Sequence, residues 1–178
     1  KAQGVTVGND NLNSNIIMGT TGGTNNINVI AKGGKSIANG GGGANVSASA
    51  YGAENYNVLT FKGDTYIYAT AEGGAPDSGG AYIAGSATAD AYGVYNEGGT
   101  VYADKLVIGT AKATGGSGVS VDGTAFGLIN KDLGSMTTGE IRLEEISARA
   151  GVADSTHEAQ AFAVGVDNRS GVVTTGAF

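Results

Sequence analysis

The sequence predicts an all-β fold in which a repeated unit winds into a parallel β-helix (β-solenoid). A hexapeptide motif recurs four times at nearly constant spacing. The runs between the motifs are short, rich in Val, Ile, Thr and Tyr, and bounded by Gly, Asn, Asp and Ser, as strands are. Of 178 residues, 33 are Gly and one is Pro. Without abundant Pro or a Gly-X-Y period, this content excludes collagen and does not suggest disorder.

The motif reads A-[YFV]-G-x-x-N. Its copies begin at Ala50, Ala91, Ala125 and Ala163, which are 41, 34 and 38 residues apart. Such a period is typical of architectures in which each repeat stacks on its neighbours. If strands of successive coils lie about 4.8 Å apart, equivalent motif positions form columns along the axis.

Two motif positions predict columns of a single residue type. Gly would permit a close backbone approach or a corner with positive φ. Asn at a corner can bond the backbone and stack its amide on the next one. We interpret both columns as structural, and a row of ligand-binding amides is the alternative for Asn. The columns comprise Gly52, Gly93, Gly127 and Gly165, and Asn55, Asn96, Asn130 and Asn168.

Each motif is followed by a second run, and each of the first three motifs also by a third run, that reads as a strand, so we expect three short strands per coil. In the first repeat these runs are Val58–Phe61 and Thr65–Thr70. A loop of variable length closes each coil. A helix over Arg142–Ala150 is the alternative for one run, because Leu143, Ile146 and Ala150 fall at helical spacing. A strand is favoured there because the run aligns with strands of the neighbouring repeats.

We expect one domain of about four to five coils, each of 34–41 residues. Residues 45–178 form the regular repeats. Residues 1–44 form a diverged first coil, in which Ile16–Met18 and Ile27–Ile30 read as strands. The last motif begins a coil that stops before its third strand, so we expect a segment of a longer protein.

One phrase of the chain resembles a known class of proteins. Ala91–Val101 reads A-Y-G-V-Y-N-E-G-G-T-V. It is similar to the A-x-G-I-x-N-x-G-G-T-V phrases of bacterial autotransporter passengers and filamentous-haemagglutinin-like surface adhesins with pectin-lyase-like β-helix repeats. The resemblance covers residues 45–178. It implies a right-handed β-helix, a location on the bacterial cell surface or outside the cell, and a structural or adhesive role in binding surface glycans or host proteins.

Composition excludes several other functions. The net charge of −6 argues against binding nucleic acid, which needs a basic surface. No Cys is present for a disulfide or a thiolate site. No apolar run is long enough to cross a membrane as a helix. The Gly-rich stretches lack the G-K-[ST] of a phosphate-binding loop, and we expect no cofactor.

An enzyme is the first alternative, because pectin-lyase-like folds also host polysaccharide lyases and hydrolases. Such chemistry needs clustered carboxylates, or carboxylates that hold Ca²⁺ beside a base. Asp64, Asp104, Glu140 and Arg142 lie near strand runs, but the acidic residues are scattered and we interpret them as surface charge. His157 is the only His, and with no Cys present it predicts neither a catalytic nor a metal site.

Tyrosines are the candidate ligand-binding residues. Tyr66 and Tyr68 share one face of a strand, and Tyr92, Tyr95 and Tyr102 lie in the next repeat. An exposed row of Tyr could stack on sugars or on a protein partner; the alternative is that they are sheet-face residues of high β-propensity. The second alternative function is a filament subunit that self-associates through the edge strands at its ends.

Overall fold

The computed structural model describes residues 1–8, 15–33, 45–74, 85–118, 120–153 and 158–178. Within these ranges the chain is all-β, as the sequence predicts, with thirteen strands and no helix. In chain order the strands are β1 Ala2–Val7, β2 Asn15–Met18, β3 Thr24–Lys32, β4 Val46–Asn55, β5 Val58–Glu72, β6 Ser86–Glu97, β7 Thr100–Thr114, β8 Ser117–Gly118, β9 Ser120–Lys131, β10 Ser135–Arg149, β11 Val152–Ala153, β12 Ala159–Arg169 and β13 Val172–Ala177.

Two parallel sheets form the walls of the solenoid. Sheet A has the order β1-β4-β6-β9-β12, and sheet B has the order β13-β10-β7-β5-β2, with β3 also paired to β5. The chain alternates between the sheets, so that β4–β5, β6–β7 and β9–β10 form three regular turns. A small third sheet pairs β8 with β11. The parallel stacking confirms the β-solenoid prediction, and its right-handed sense stays a prediction.

The second and third runs of each regular repeat merge into one long strand, which differs from the three short strands expected. In β5 the chain bends at Gly63, whose φ is 76°. The register with β7 shifts between Phe61 and Asp64 at the same place. Pairing resumes beyond the bend, because a Gly with positive φ turns the chain at little steric cost. In the first coil the two runs are the separate strands β2 and β3.

The core lies between the two sheets, and most of its large side chains come from sheet B. Sheet A contributes small residues such as Ala50, Ala91 and Ala125, all 0% exposed. Sheet B contributes large ones, including Leu59, Phe61, Ile67, Leu106, Ile108, Met136 and Ile141. Large side chains from one wall therefore fill the space that small ones leave on the other, which is how close-packed interiors avoid voids.

Two expectations about single segments are resolved by the strands. Arg142 to Arg149 belongs to β10 and pairs residue by residue with β7, so the helix alternative for this run is wrong. The runs expected at Ile16–Met18 and Ile27–Ile30 lie in β2 and β3. In β1, Ala2 pairs with Ala50 and Val7 with Asn55, so the first coil carries a diverged motif copy, Ala2–Val7.

Candidate functional site

The repeated Asn residues form a chain of side-chain hydrogen bonds from coil to coil. Nδ2 of Asn55 donates to Oδ1 of Asn96 at 2.7 Å, Asn96 to Asn130 at 2.7 Å, and Asn130 to Asn168 at 2.9 Å. The first three residues are 0% exposed, whereas Asn168 is exposed. We call this set the Asn ladder.

Each buried Asn side chain also forms a hydrogen bond with the turn that follows it. Nδ2 of Asn96 lies 3.0 Å from the carbonyl oxygen of Gly99, and Nδ2 of Asn130 lies 2.9 Å from that of Gly134. A Cβ on Gly134 would lie 2.5 Å from Oδ1 of Asn130. The turn after the motif therefore needs Gly, because its backbone runs directly against the ladder.

The repeated Gly residues also lie in one column of sheet A, and close packing explains them. A Cβ on Gly93 would lie 2.4 Å from the carbonyl oxygen of Gly127 and 2.6 Å from Cγ2 of Ile108. A Cβ on Gly52 would lie 2.1 Å from Cγ2 of Ile67. Sheet B thus places an Ile methyl group against the bare backbone of sheet A. None of these Gly residues has a positive φ.

The five candidate tyrosines do not form a single row. Tyr92 and Tyr95 lie in β6 of sheet A, whereas Tyr66, Tyr68 and Tyr102 lie in β5 and β7 of sheet B. The merged second and third runs place the last three on the other wall. The candidate binding surface is therefore two surfaces, one on the outer face of each sheet.

On sheet A the tyrosines belong to a larger group that we call the aromatic cluster. It comprises Tyr51, Tyr56, Tyr92, Tyr95, Phe126 and Phe162. Tyr51 and Tyr92 stack with ring centroids 4.6 Å apart, and Tyr92 and Phe126 stack at 5.7 Å. These three residues occupy the second motif position, so the sequence carried a signal that the search for exposed tyrosines missed.

The stacked rings of this cluster cover one another's faces. Tyr92 is stacked on both sides, and Nζ of Lys1 lies 4.5 Å from the ring centroid of Tyr51 on β1's side. Tyr95 meets the rings of Tyr51 and Tyr92 edge-on. Stacking on a sugar requires an open ring face, so this packing favours a structural role for the cluster.

Charged groups border the aromatic cluster and change its acid–base behaviour. Burial, reinforced by the charges of Glu54 and Asp90, raises the pKa of Tyr51 to about 12. Glu54 itself is buried and accepts hydrogen bonds from Nζ of Lys1 and from the hydroxyl of Tyr56 at 2.9 Å. The hydroxyl of Tyr95 donates to Glu97 at 2.7 Å, and this hydrogen bond is the main cause that lowers the pKa of Glu97.

On sheet B one row of side chains contains an exposed Ile and an exposed Tyr. Ile17, Thr60 and Tyr102 are register partners on three adjacent strands. The side chains at the two ends of this row, Ile17 and Tyr102, are 57% and 47% exposed. We call these three residues the sheet B row. It presents an aromatic residue that makes no ring contact with another aromatic side chain among the described residues.

Asp104 and Glu140, two of the carboxylates considered for catalysis, have structural partners. Oδ2 of Asp104 accepts from the backbone N–H of Gly63 at 2.7 Å and so braces the bend in β5. Glu140 pairs with Lys105 at 3.5 Å. Arg142 pairs with Glu144 at 3.0 Å rather than with Glu140. Asp64 is the register partner of Lys105 on the adjacent strand.

A cavity of about 300 Å³ opens where β8 and β11 close the third side of the solenoid. Gly and backbone atoms dominate its lining, with Arg149 as its charged side chain. A Cβ on Gly151 would lie 1.6 Å from the carbonyl oxygen of Gly116. The Gly residues here serve close coil stacking and offer a ligand few polar side chains.

Four further observations concern the candidate site. His157 lies outside the described residues. Within the described ranges, no group of three or more His, Asp or Glu side chains is placed to hold a metal ion, and no helix is long and apolar enough to cross a membrane.

Comparison with protein families, with curated proteins and with solved structures finds no match.

Proposed function

We propose that this chain is a structural and adhesive segment of a bacterial cell-surface or secreted protein, with a role like that of autotransporter passengers and filamentous-haemagglutinin-like adhesins. The Asn ladder is the observation that carries the proposal. It joins four successive strands of sheet A through side-chain amides, so the repeated residues serve the cohesion of the solenoid.

Three positions of the motif hold the coils together. Its Ala, Gly and Asn are buried in the copies of β4, β6 and β9. Its fifth position varies from Glu54 to Tyr95 to Ile129 along one column, and Glu54 and Ile129 are buried as well. A constant buried interior suits a stiff support. A catalytic site, by contrast, needs a fixed constellation of polar groups.

The sheet B row is the surface that we assign to adhesion. Tyr102 offers an apolar ring and a polar hydroxyl, a combination that suits both glycans and proteins. Ile17 extends the apolar surface across two strand spacings, which is about 10 Å. The aromatic cluster on sheet A suits this role less, because Tyr51, Tyr92 and Phe126 are stacked on one another.

The proposal is tested with beads coated with the protein and offered to bacterial and epithelial cells. The wild-type protein is expected to attach, and the double variant Ile17→Ser, Tyr102→Ser is expected to lose attachment. Val152→Ser is the matched control, because Val152 is 60% exposed on the third side of the solenoid. No attachment by wild-type beads would overturn the adhesive role, and equal attachment by the double variant would overturn the assignment to sheet B.

The enzymatic alternative has its own measurement. Incubation with acidic and neutral polysaccharides should release no new reducing or unsaturated ends. Turnover that disappears with Asp104→Asn or Glu140→Gln would replace the adhesive proposal by a polysaccharide-cleaving one.

A further inference from the structure

Tyr51 and Tyr92 bring two phenol groups together on the outer face of sheet A. The two residues are register partners on β4 and β6. Their ring centroids lie 4.6 Å apart with an angle of 20° between the ring planes, and a hydrogen bond joins their hydroxyl groups. Nearly parallel rings with joined hydroxyl groups also place their Cε carbons side by side. These carbons flank the hydroxyl-bearing Cζ, and they share the unpaired electron when a tyrosine is oxidised.

The other ring pairs of the aromatic cluster lack this combination. Tyr95 meets Tyr51 at 84° and Tyr92 at 77°, and Tyr56 meets Tyr95 at 59° with the centroids 6.3 Å apart. The Cε carbons of such inclined rings do not lie side by side. Phe126 stacks on the far face of Tyr92 but has no hydroxyl group. Within the cluster, Tyr51 and Tyr92 are therefore the stacked pair in which both rings are phenols.

Carboxylates accept the hydroxyl protons of the neighbouring tyrosines. The hydroxyl of Tyr95 donates to Glu97 at 2.7 Å, and that of Tyr56 donates to Glu54 at 2.9 Å. A phenol that loses an electron also loses its hydroxyl proton, so a hydrogen-bonded carboxylate makes that loss easier. The oxidised Tyr95 can then take an electron from Tyr51, whose ring lies 5.8 Å away, and recover its proton from Glu97. The cluster thus passes oxidation to the stacked pair.

The chain contains no Cys, so no disulfide can join its coils. We propose that Tyr51 and Tyr92 form an oxidative crosslinking site, at which a peroxide and a peroxidase join β4 to β6 through a dityrosine bond. Each residue loses one electron and its hydroxyl proton, and a bond forms between one Cε carbon of each ring. The hydrogen atoms on those two carbons then move to the oxygens and restore both hydroxyl groups. The peroxide takes up the two electrons and two protons and leaves as two molecules of water.

The crosslink adds a covalent joint beside the Asn ladder. It connects the same two strands that Asn55 and Asn96 connect by a hydrogen bond. Both rings are half-buried, so part of the pair stays in reach of an oxidant in solution. A covalent link between coils restricts the unfolded chain and stabilises the folded one, as a disulfide does. The inference does not depend on the adhesive role of sheet B.

The test treats the full chain, at high dilution, with a haem peroxidase and hydrogen peroxide. Wild type is expected to gain dityrosine fluorescence as a monomer lighter by two hydrogen atoms, and proteolysis should release a peptide pair joined through Tyr51 and Tyr92. Tyr51→Phe and Tyr92→Phe keep the ring and remove the hydroxyl, so the monomer yield should fall to that of a reaction without peroxide. Tyr68→Phe is the matched control with wild-type yield, because Tyr68 lies on sheet B, outside the aromatic cluster.

Circular dichroism checks that the Phe variants remain folded. Absence of dityrosine, dityrosine between molecules only, or an equal yield in Tyr92→Phe overturns the proposal. Tyr95→Phe should slow formation of the same link, and an equal rate would overturn the route through Tyr95. The crosslinked monomer should unfold at a higher urea concentration than the untreated protein, and an unchanged midpoint would overturn the stabilising role of the link.

Discussion

Asn96 donates its side-chain amide to Oδ1 of Asn130 across 2.7 Å, and both side chains are 0% exposed. The same amide reaches the carbonyl oxygen of Gly99 in its own turn. One side chain thus secures both the stacking of two coils and the turn between the sheets. Such a buried hydrogen bond matters mainly because breaking it leaves a buried donor or acceptor without a partner, which costs free energy of folding.

Asn96→Ala should therefore destabilise the protein by about 3 kcal/mol, because it removes the buried hydrogen bonds that Asn96 makes with Asn55, Gly99 and Asn130. The measurement is urea unfolding followed by circular dichroism. Asn168→Ala is the matched control, since Asn168 holds the same motif position but is exposed, and its cost should stay below about 1 kcal/mol. Equal losses in the two variants would contradict the role given to burial.

Gly93→Ala should cost about 2–3 kcal/mol or prevent folding, because overpacking a filled core forces the backbone apart. Its Cβ would meet the backbone oxygen of Gly127 at 2.4 Å, and that atom cannot move aside alone. Gly165→Ala is the control: its Cβ would meet only Cδ1 of Leu143, at 3.2 Å. We expect less than about 1 kcal/mol there. A mild Gly93→Ala variant would argue against close packing as the reason for this column.

Thr138→Val should stabilise the protein by about 1 kcal/mol. Thr138 is 5% exposed, and its hydroxyl has no hydrogen-bond partner among the described residues. Val keeps the shape and removes the unsatisfied group. Thr137→Val serves as the control, because the adjacent Thr137 is exposed on sheet B and its replacement should change stability by less than about 0.5 kcal/mol. A loss of stability in Thr138→Val would reveal a bond to that hydroxyl.

The raised pKa of Tyr51 predicts that the protein loses stability in alkaline solution. Its pKa is about 12 in the folded protein and 10.0 for an ordinary Tyr. Between these values the unfolded chain has released the proton while the folded chain retains it, so stability falls as pH rises. Partial exposure limits the effect to about 1–2 kcal/mol.

Urea unfolding at a series of pH values compares wild type with Tyr51→Phe. The variant should lose less stability across the window from about 10 to 12, and the two curves should run parallel below about pH 9. Identical slopes throughout the alkaline window would contradict the raised pKa of Tyr51.

The motif and its spacing predicted the stacking of strands because equivalent residues of successive coils occupy equivalent places. The predicted registers at Ala50, Ala91 and Ala125 are those of sheet A. The motif copy in β1 was hidden, since Val7 replaces the Asn and the next copy begins 48 residues after Ala2. A repeat that has lost its most distinctive residue is recognised only once its strand pairing is known.

The bend in β5 and the position of the tyrosines could not be predicted in the same way. The bend depends on the φ of Gly63 and on Asp104, which reaches it from the neighbouring coil. Tyr66 and Tyr68 lie beyond that bend, on sheet B and away from Tyr92. The aromatic cluster was visible as the second motif position, but the stacking of Tyr51 on Tyr92 depends on coil contacts that no single strand reveals.

The Val at the first ladder position has a mechanical consequence. When a solenoid is pulled along its axis, the coil interfaces bear the same force in series, and the weakest yields first. Val7 faces Asn55 without a side-chain hydrogen bond between the two. By contrast, Asn55, Asn96 and Asn130 each donate a side-chain hydrogen bond to the next coil. Under tension the amide-linked coils from β4 to β12 should bear the load as a single stiff unit, whereas β1 is held to β4 through Lys1 and Glu54 instead of an amide.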